Sequence, residues 1–389
     1  MIFADLHIHI GQSLDGKFVK ITGAKTLTLP NIFKAARDIK GLSLVGIVDS
    51  HSIGVQQDFK ELLASGHLRT LSAGGYSAGG LTVIPGHEIE LQVGEGNAHF
   101  LAYFPFIEQV EQYVRLIKPS IKNWQLSTQR GFLPIDLWLE AVSKAEGIWF
   151  PAHAFTPHKG VYGNCCRRLR EVLPVLPKAL EIGLSADRAM AECISELDSL
   201  VMFSNSDAHS LPNIAREYNS FAHTDATFAG LLDLIQRKTK QGVRNYGLPP
   251  RMGKYHRTYC LSCERVVQSS APQLMCPKCG SGNVVMGVLD RLTSIADRPL
   301  GKHKVSNYVH QVPLRQLPGI GPKMYERLLQ AFGTEMAILH QVDVEELRCI
   351  AGEKVADWII KDRCGELIIE AGGGGLFGRV VDILSHPVE

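Results

Sequence analysis

The chain has 389 residues, 45% hydrophobic and 21% charged, with a formal net charge of +2. That length suits one large domain with one or two small modules, and the composition is ordinary for a globular enzyme. A polycation is excluded, so any affinity for nucleic acid must come from local patches. No apolar run nears the ~20 residues of a membrane span. The N-terminus lacks the basic start and apolar core of a signal peptide, so a cytoplasmic protein without membrane contact is expected.

From residue 1 to about 235, short β-branched runs alternate with helix-like stretches, which predicts an α/β architecture. Strands are expected at 2–7, 44–49, 81–84, 98–103, 147–151, 180–183 and 200–204. Amphipathic helices are expected at 31–39, 135–146, 187–198 and 227–237, and Gly94 to Asn97 reads as a tight turn between two strands. The first strand carries Asp5-Leu6-His7-Ile8-His9. Side chains alternate along a strand, so Asp5, His7 and His9 share a face, with Asp5 placed to orient an imidazole.

The same event recurs along the chain. Expected strands end in or near Asp49 and His51, Glu88, His99, His153, and finally Asp207 and His209. In a β/α barrel the C-terminal strand ends converge on one mouth, where active sites are built. His, Asp and Glu gathered there suit Zn2+, Mn2+ or Mg2+, and a carboxylate such as Glu88 can bridge two ions. The bland alternative is a scatter of polar residues capping helices.

Composition shifts at 237–258, where Arg237, Lys238, Lys240, Arg244, Arg251, Lys254 and Arg257 occur without an acidic residue. This reads as a basic linker, either a solvated connector or a DNA-facing arm that uses Arg251, Lys254 and Arg257. Cys260, Cys263, Cys276 and Cys279 follow as two CxxC pairs twelve residues apart. Four thiolates at that spacing predict a closed tetrahedral site for a structural Zn2+ in a ribbon spanning 259–296. Residues 297–389 are expected to be largely helical. Leu317-Pro318-Gly319-Ile320-Gly321-Pro322-Lys323 resembles a helix-hairpin-helix, in which Gly319 and Gly321 let the backbone approach a phosphate. Lys323 would add charge, and such contacts hold DNA without reading its sequence.

The ordered motifs Asp-Leu-His-Ile-His, Asp-x-His, Gly-His-Glu, a lone His, Pro-Ala-His and Ser-Asp-Ala-His resemble those of the polymerase-and-histidinol-phosphatase (PHP) superfamily. The resemblance implies a distorted β/α barrel over 1–236 with two or three divalent ions. His7, His9, Glu88 and Asp207 would hold one ion, and Glu88, His99 and His153 a second. His51 and His209 would contribute to a third. The stretch after His9 lacks a further histidine, leaving Asp15 as a substitute oxygen ligand. Asp207 is the expected catalytic residue, as ligand and proton acceptor.

Barrel, ribbon and hairpin in that order, with Pro151-Ala152-His153-Ala154-Phe155-Thr156-Pro157, resemble the endonuclease Q family. That resemblance implies a DNA-repair endonuclease nicking 5′ of deaminated bases (hypoxanthine, uracil, xanthine) and of abasic sites. Phe155 and Tyr162, near His153, are the candidate walls of a base pocket. Two alternatives stay open: a phosphatase acting on a small phosphate monoester, and a noncatalytic DNA-binding module.

Overall fold

The computed structural model describes residues 1–222, 224–236, 242–299 and 307–381. Arg237, Lys238 and Lys240 of the basic stretch lie outside the described residues.

Eleven strands form one mixed sheet. They are β1 (Ile2–Ile8), β2 (Leu44–Ile47), β3 (Arg69–Thr70), β4 (Tyr76–Ala78), β5 (Leu81–Val93), β6 (Gly96–Tyr103), β7 (Arg130–Gly131), β8 (Ile148–Pro151), and, after an interruption, three strands described below. The interruption is β9 (Ala179–Glu181) and β10 (Val201–Phe203), a separate parallel pair. The chain then returns to the main sheet through β11 (Tyr218–Phe221) and β12 (Val243–Gly247). Pairing runs β12-β11-β1-β2-β5, with β6 joining β5 to β8. Strand β9 lies beside β8 and β10 beside β12, so the circuit closes. The result is a distorted β/α barrel, parallel at β1-β2-β5 and at β9-β10 and antiparallel at β1-β11, β11-β12, β5-β6 and β6-β8.

The hydrophobic pattern explains the closure. Ala4 and Leu6 of β1 join Ile84, Leu101, Tyr103, Phe150 and Phe203 in one buried cluster, while Asp5 and His7 alternate to the other side. Close strand approach needs small residues at two places. A Cβ on Gly46 would sit 2.3 Å from the Leu6 carbonyl, and one on Gly86 2.7 Å from that of Ala102. Helices cover the outside: α1 (Leu29–Lys34), which continues as a π turn to Lys40, then α2 (Ile53–Ala64), α3 (Ile107–Ile117), α4 (Ile135–Lys144), the short α5 (Arg188–Ala191) and α6 (Phe228–Gln236). None of the described helices is long and apolar enough to cross a membrane.

Several sequence expectations are corrected. The strand expected at 81–84 runs to Val93, because Pro85 lies where only its carbonyl is needed and the pairing with β6 continues to the Gly94-Glu95 turn. Glu88 is therefore mid-strand. The helix expected at 187–198 is broken into α5 and a 3-10 turn at Ser195–Ser199. Part of the supposed basic linker is strand β12, whose Asn245 amide ties it to Met202 and Asn219 in the buried interior.

The four-cysteine segment forms β13 (Tyr259–Cys260), β14 (Arg265–Val266) and β15 (Val284–Val285), backed by α7 (Val288–Ile295). Buried Asp290 anchors it, accepting from Arg257, the Thr258 amide and the Gln273 amide. Strand β16 (Tyr308–His310) then adds to β12. The C-terminal helices α8 (Pro322–Phe332), α9 (Glu335–His340), α10 (Val344–Ala351) and α11 (Glu353–Cys364) pack on the barrel. Their anchor is a buried pair in which Lys40 Nζ lies 2.9 Å from both Glu335 oxygens. Strands β17 (Ile369–Glu370) and β18 (Arg379–Val380) form a last hairpin.

Candidate metal centre and its pocket

Backbone pairing assembles the site. The end of β1 bridges Ala208: Ala208 donates to the His7 carbonyl at 3.1 Å and His9 to the Ala208 carbonyl at 3.2 Å. This sets His7 and His9 beside Asp207 and His209. On the other flank Asp49 bridges His87, with the Glu88 amide donating to Val48, which brings Glu88 in. Register on β5-β6 puts His99 opposite Glu90, next to Glu88 on the same face, and His153 follows the end of β8.

Three overlapping triads of ligand atoms result: His7/His9/Glu88, Glu88/His99/His153 and His9/Asp207/His209. His7 Nε2 lies 3.5 Å from both Glu88 Oε1 and Asp207 Oδ1, and His9 Nε2 lies 3.2 Å from Asp207 Oδ1. Glu88 Oε1 is 3.0 Å from His99 Nδ1 and 3.3 Å from His153 Nε2. Bonds of about 2.0–2.2 Å around a tetrahedral ion place ligand atoms about 3.3–3.6 Å apart, so the spacing fits divalent ions. Two features support the fit. His7 Nε2 is buried with no hydrogen-bond partner among the described residues. Glu88 reaches both groups, Oε1 toward His7, His99 and His153 and Oε2 3.5 Å from His9 Nε2, as a carboxylate shared by two ions would.

Electrostatics point the same way. Burial works against a proton on His7, yet Glu181, Asp207 and Glu88 hold its imidazole up to about 10. His99, buried beside Glu88, is likewise held up to about 9. Burial alone would lift the Glu88 and Asp207 carboxyls, but the imidazoles around them keep both well below the usual carboxylate range. A field that retains protons this strongly also attracts cations. Backbone strain concentrates here too, with φ of 46° at Asp207, 28° at His153 and 47° at Thr128.

Not every expected ligand joins the cluster. Asp49 Oδ2 accepts from His9 Nδ1 at 3.0 Å and from the Ile10 amide at 2.8 Å, so it orients His9 from behind. His51 stacks on His87 at 3.7 Å between ring centroids, with Nε2 3.2 Å from the Leu126 carbonyl. It is in none of the triads. Asp15 turns to Ser13 and Lys17 on an exposed loop. Asp5 accepts from the amides of His7, Ser206 and Ala215, a backbone role and not an imidazole one.

The imidazole partner is Glu181 at the end of β9, which sequence reasoning missed. Its carboxylate lies 3.0 Å from His7 Nδ1 and accepts from the His153 amide at 3.0 Å and Asn205 Nδ2 at 2.8 Å. The signal was available, since Glu181 falls within the expected strand 180–183. Lys20 and Thr128, both bonded into the cluster, had no such signal.

The expected base pocket is also corrected. Phe155 and Tyr162 are fully buried and stack on each other at 5.5 Å, with the Tyr162 hydroxyl donating to Glu196. The open cavity beside the metal cluster, about 260 Å3, is instead lined by His153 and Asp207 on one side and Leu184, Lys254, Tyr255 and Phe377 on the other. Phe377 is half-exposed, with Lys254 Nζ 4.7 Å from its ring centre. Of the expected DNA contacts, Arg257 is committed to Asp290 at 3.1 Å, with its side chain 18% exposed. Arg251 and Lys323 are exposed. Gly319 has φ 83°, which demands glycine, and Gly321 precedes α8 with open space around it. In the ribbon, Cys260 Sγ is 3.8 Å from Cys279 Sγ and Cys276 Sγ 4.0 Å from Cys263 Sγ. Zn–S bonds of about 2.3 Å require sulfurs about 3.8 Å apart, so the four thiols fit a zinc ion.

No protein-family profile matches the chain. The uncharacterized protein YqxK of Bacillus subtilis (strain 168) is 40% identical over 384 residues, 97% of this chain and 99% of that one. The uncharacterized protein MJ0043 of Methanocaldococcus jannaschii is 33% identical over 250 residues, covering 59% of this chain and 31% of that protein. Among solved structures, the lesion-specific endonuclease PfuEndoQ from Pyrococcus furiosus superposes with a TM-score of 0.82 at 30% identity, over 100% of this chain and 97% of that one. An endonuclease Q complex with a 27-mer duplex substrate, an abasic lesion at its active site, gives 0.80 at 31% identity, over 97% and 96% of the two chains. With full-length likeness in both sequence and fold, the chain belongs to the endonuclease Q family.

Proposed function

We propose that this protein is a metal-dependent DNA endonuclease that nicks the phosphodiester 5′ of deaminated bases (hypoxanthine, uracil, xanthine) and of abasic sites. The observation that carries the reading is the buried His/Glu/Asp cluster opening onto a cavity, in a chain that matches, over 97% of its length, the protein of an abasic-duplex complex. His7, His9, Glu88 and Asp207 would hold one divalent ion and Glu88, His99 and His153 another, with Zn2+, Mn2+ or Mg2+ all compatible with the donor set. Such ions neutralise phosphoryl charge and lower the pKa of water toward about 7.

The chain's own residues do the rest. Glu181 and Asp49 fix the two imidazoles of the His-x-His pair so that both Nε2 atoms face Glu88 and Asp207. Asp207 combines a place in the cluster with a side chain 30% exposed, so it can take a proton from the attacking water. A damaged nucleotide turned out of the helix would enter between Tyr255, Phe377 and Lys254, and mispaired deaminated bases unstack most easily. Gly319, Gly321 and Lys323 at the start of α8, with Arg251, would hold phosphates. In this reading 1–236 with β12 is the catalytic unit, 259–296 the zinc ribbon and 297–389 the DNA-holding region.

The test is a substrate panel. With Mg2+ or Mn2+, duplexes containing deoxyinosine, deoxyuridine or an abasic site should be nicked 5′ of the lesion, undamaged duplex left intact, and chelator should stop the reaction. Release of phosphate from small monoesters with no nicking of any duplex would refute the proposal.

A further inference from the structure

The loop between β1 and α1 folds over the mouth of the barrel. Val19 and Lys20 donate their amides to the carbonyls of Gly11 and Ile10 at 3.0 and 2.9 Å, and Ala24 donates to the His209 carbonyl at 2.8 Å. These bonds carry the Lys20 side chain into the cluster. Its Nζ donates to Thr128 Oγ1 at 2.9 Å and lies 3.3 Å from His9 Nε2 and 3.8 Å from Glu88 Oε2. Thr128 in turn donates to Glu88 Oε2 at 2.6 Å, so one hydroxyl clamps both the ammonium and the central carboxylate. The Lys20 side chain is 16% exposed.

The His9/Asp207/His209 triad shares two of its three members with the first ion's ligands. The residues expected to complete an independent third site are engaged elsewhere, Asp15 with Lys17 and His51 against His87. A third divalent ion there would also meet the fixed charge of Lys20.

We propose that Lys20 is the third cation of the catalytic centre: its ammonium, held by Thr128 beside His9 and Glu88, supplies the charge a third divalent ion would bring, and the barrel binds two ions. Two metal ions and one ammonium then surround the substrate phosphate. The phosphate contact rests on the endonuclease reading, whereas the ion count does not depend on any substrate.

The experiment counts manganese by mass spectrometry in the full-length protein equilibrated with excess Mn2+, with ribbon zinc measured separately. Wild type and Lys20→Arg should both hold two Mn2+ per chain. Three in wild type overturns the proposal, and ribbon zinc with circular dichroism checks that each variant is folded. At two equivalents of Mn2+, Lys20→Ala should also cut an abasic duplex on the order of 10²-fold more slowly than wild type. An unchanged rate there contradicts the proposal. If the ion counts come out as stated but wild type cuts no duplex, the endonuclease reading fails and Lys20 keeps its place.

Discussion

Replacing Glu181 with glutamine removes one charge and little volume, so its effect isolates how the carboxylate holds the metal ligands. Both oxygens face donors: Oε1 receives the His153 amide at 3.0 Å, and Oε2 receives Asn205 Nδ2 at 2.8 Å with His7 Nδ1 3.0 Å away. Asn205 cannot turn over to help, because its Oδ1 accepts from the Leu6 amide at 3.1 Å and from Asn219 at 3.0 Å. In either orientation the introduced side-chain amide therefore points its NH2 at a donor. With the NH2 toward His153 that amide loses its acceptor and His7 keeps only a neutral one; with the NH2 on the other side His7 and Asn205 both lose theirs. Partners of this kind are worth about 10–100-fold in metal affinity or activity, or about 1.4–2.7 kcal/mol. Glu181→Gln should thus bind Mn2+ about 10–100-fold more weakly in a calorimetric titration of the apo-protein, with nicking falling in parallel at subsaturating metal. Affinity within twofold of wild type, in a variant with unchanged melting temperature, would show that Glu181 does not orient His7.

Two further outcomes test the structure beyond the site. Glu335→Ala leaves the Lys40 ammonium buried without its carboxylate, which should lower unfolding free energy by about 3–5 kcal/mol in urea titrations. The double change Lys40→Met/Glu335→Leu should recover most of that, and a single variant as stable as wild type would deny that this pair locks the C-terminal helices to the barrel. Burial pushes the Glu217 carboxyl up to about 8, from 4.5 in an open chain. The folded state then keeps a proton that the unfolded chain releases, so this group's contribution falls as pH rises from about 4.5 to about 8. The melting temperature of wild type minus that of Glu217→Gln should drop by several degrees between about pH 5 and about pH 8.5. A difference constant across that range refutes the assignment.

Much of the site was legible in the sequence because His, Asp and Glu recur on, or just after, successive strands. His7, His9, Glu88, His99, His153, Asp207 and His209 were all marked by that recurrence, and the structure draws them together. The misses share a physical origin in side-chain direction. Asp49 and His51 follow the same strand, yet one turns behind His9 and the other packs on His87, and no spacing rule separates them. Phe155 and Tyr162 sit next to a ligand in sequence but point into the core, whereas Tyr255 and Phe377, remote in sequence, reach the cavity through tertiary packing. Strand β12 was hidden because its alternation is interrupted by Arg244 and Asn245, whose side chains serve the surface and the buried polar network. The ribbon was easier, since four cysteines at fixed spacing leave little choice of partner.

The most direct measurement is single-turnover cleavage of a duplex with one abasic site by three preparations: chelator-stripped protein, the same protein reloaded with Mn2+, and reloaded Asp207→Asn. The stripped protein should be inert, and reloading should restore one nick 5′ of the lesion. Asp207→Asn should bind the duplex yet cut on the order of 10³-fold more slowly, since it loses both an anionic ligand and the proton acceptor. Cleavage that survives stripping, or an Asp207→Asn rate within a few-fold of wild type, would contradict a metal site built around Glu88 and Asp207.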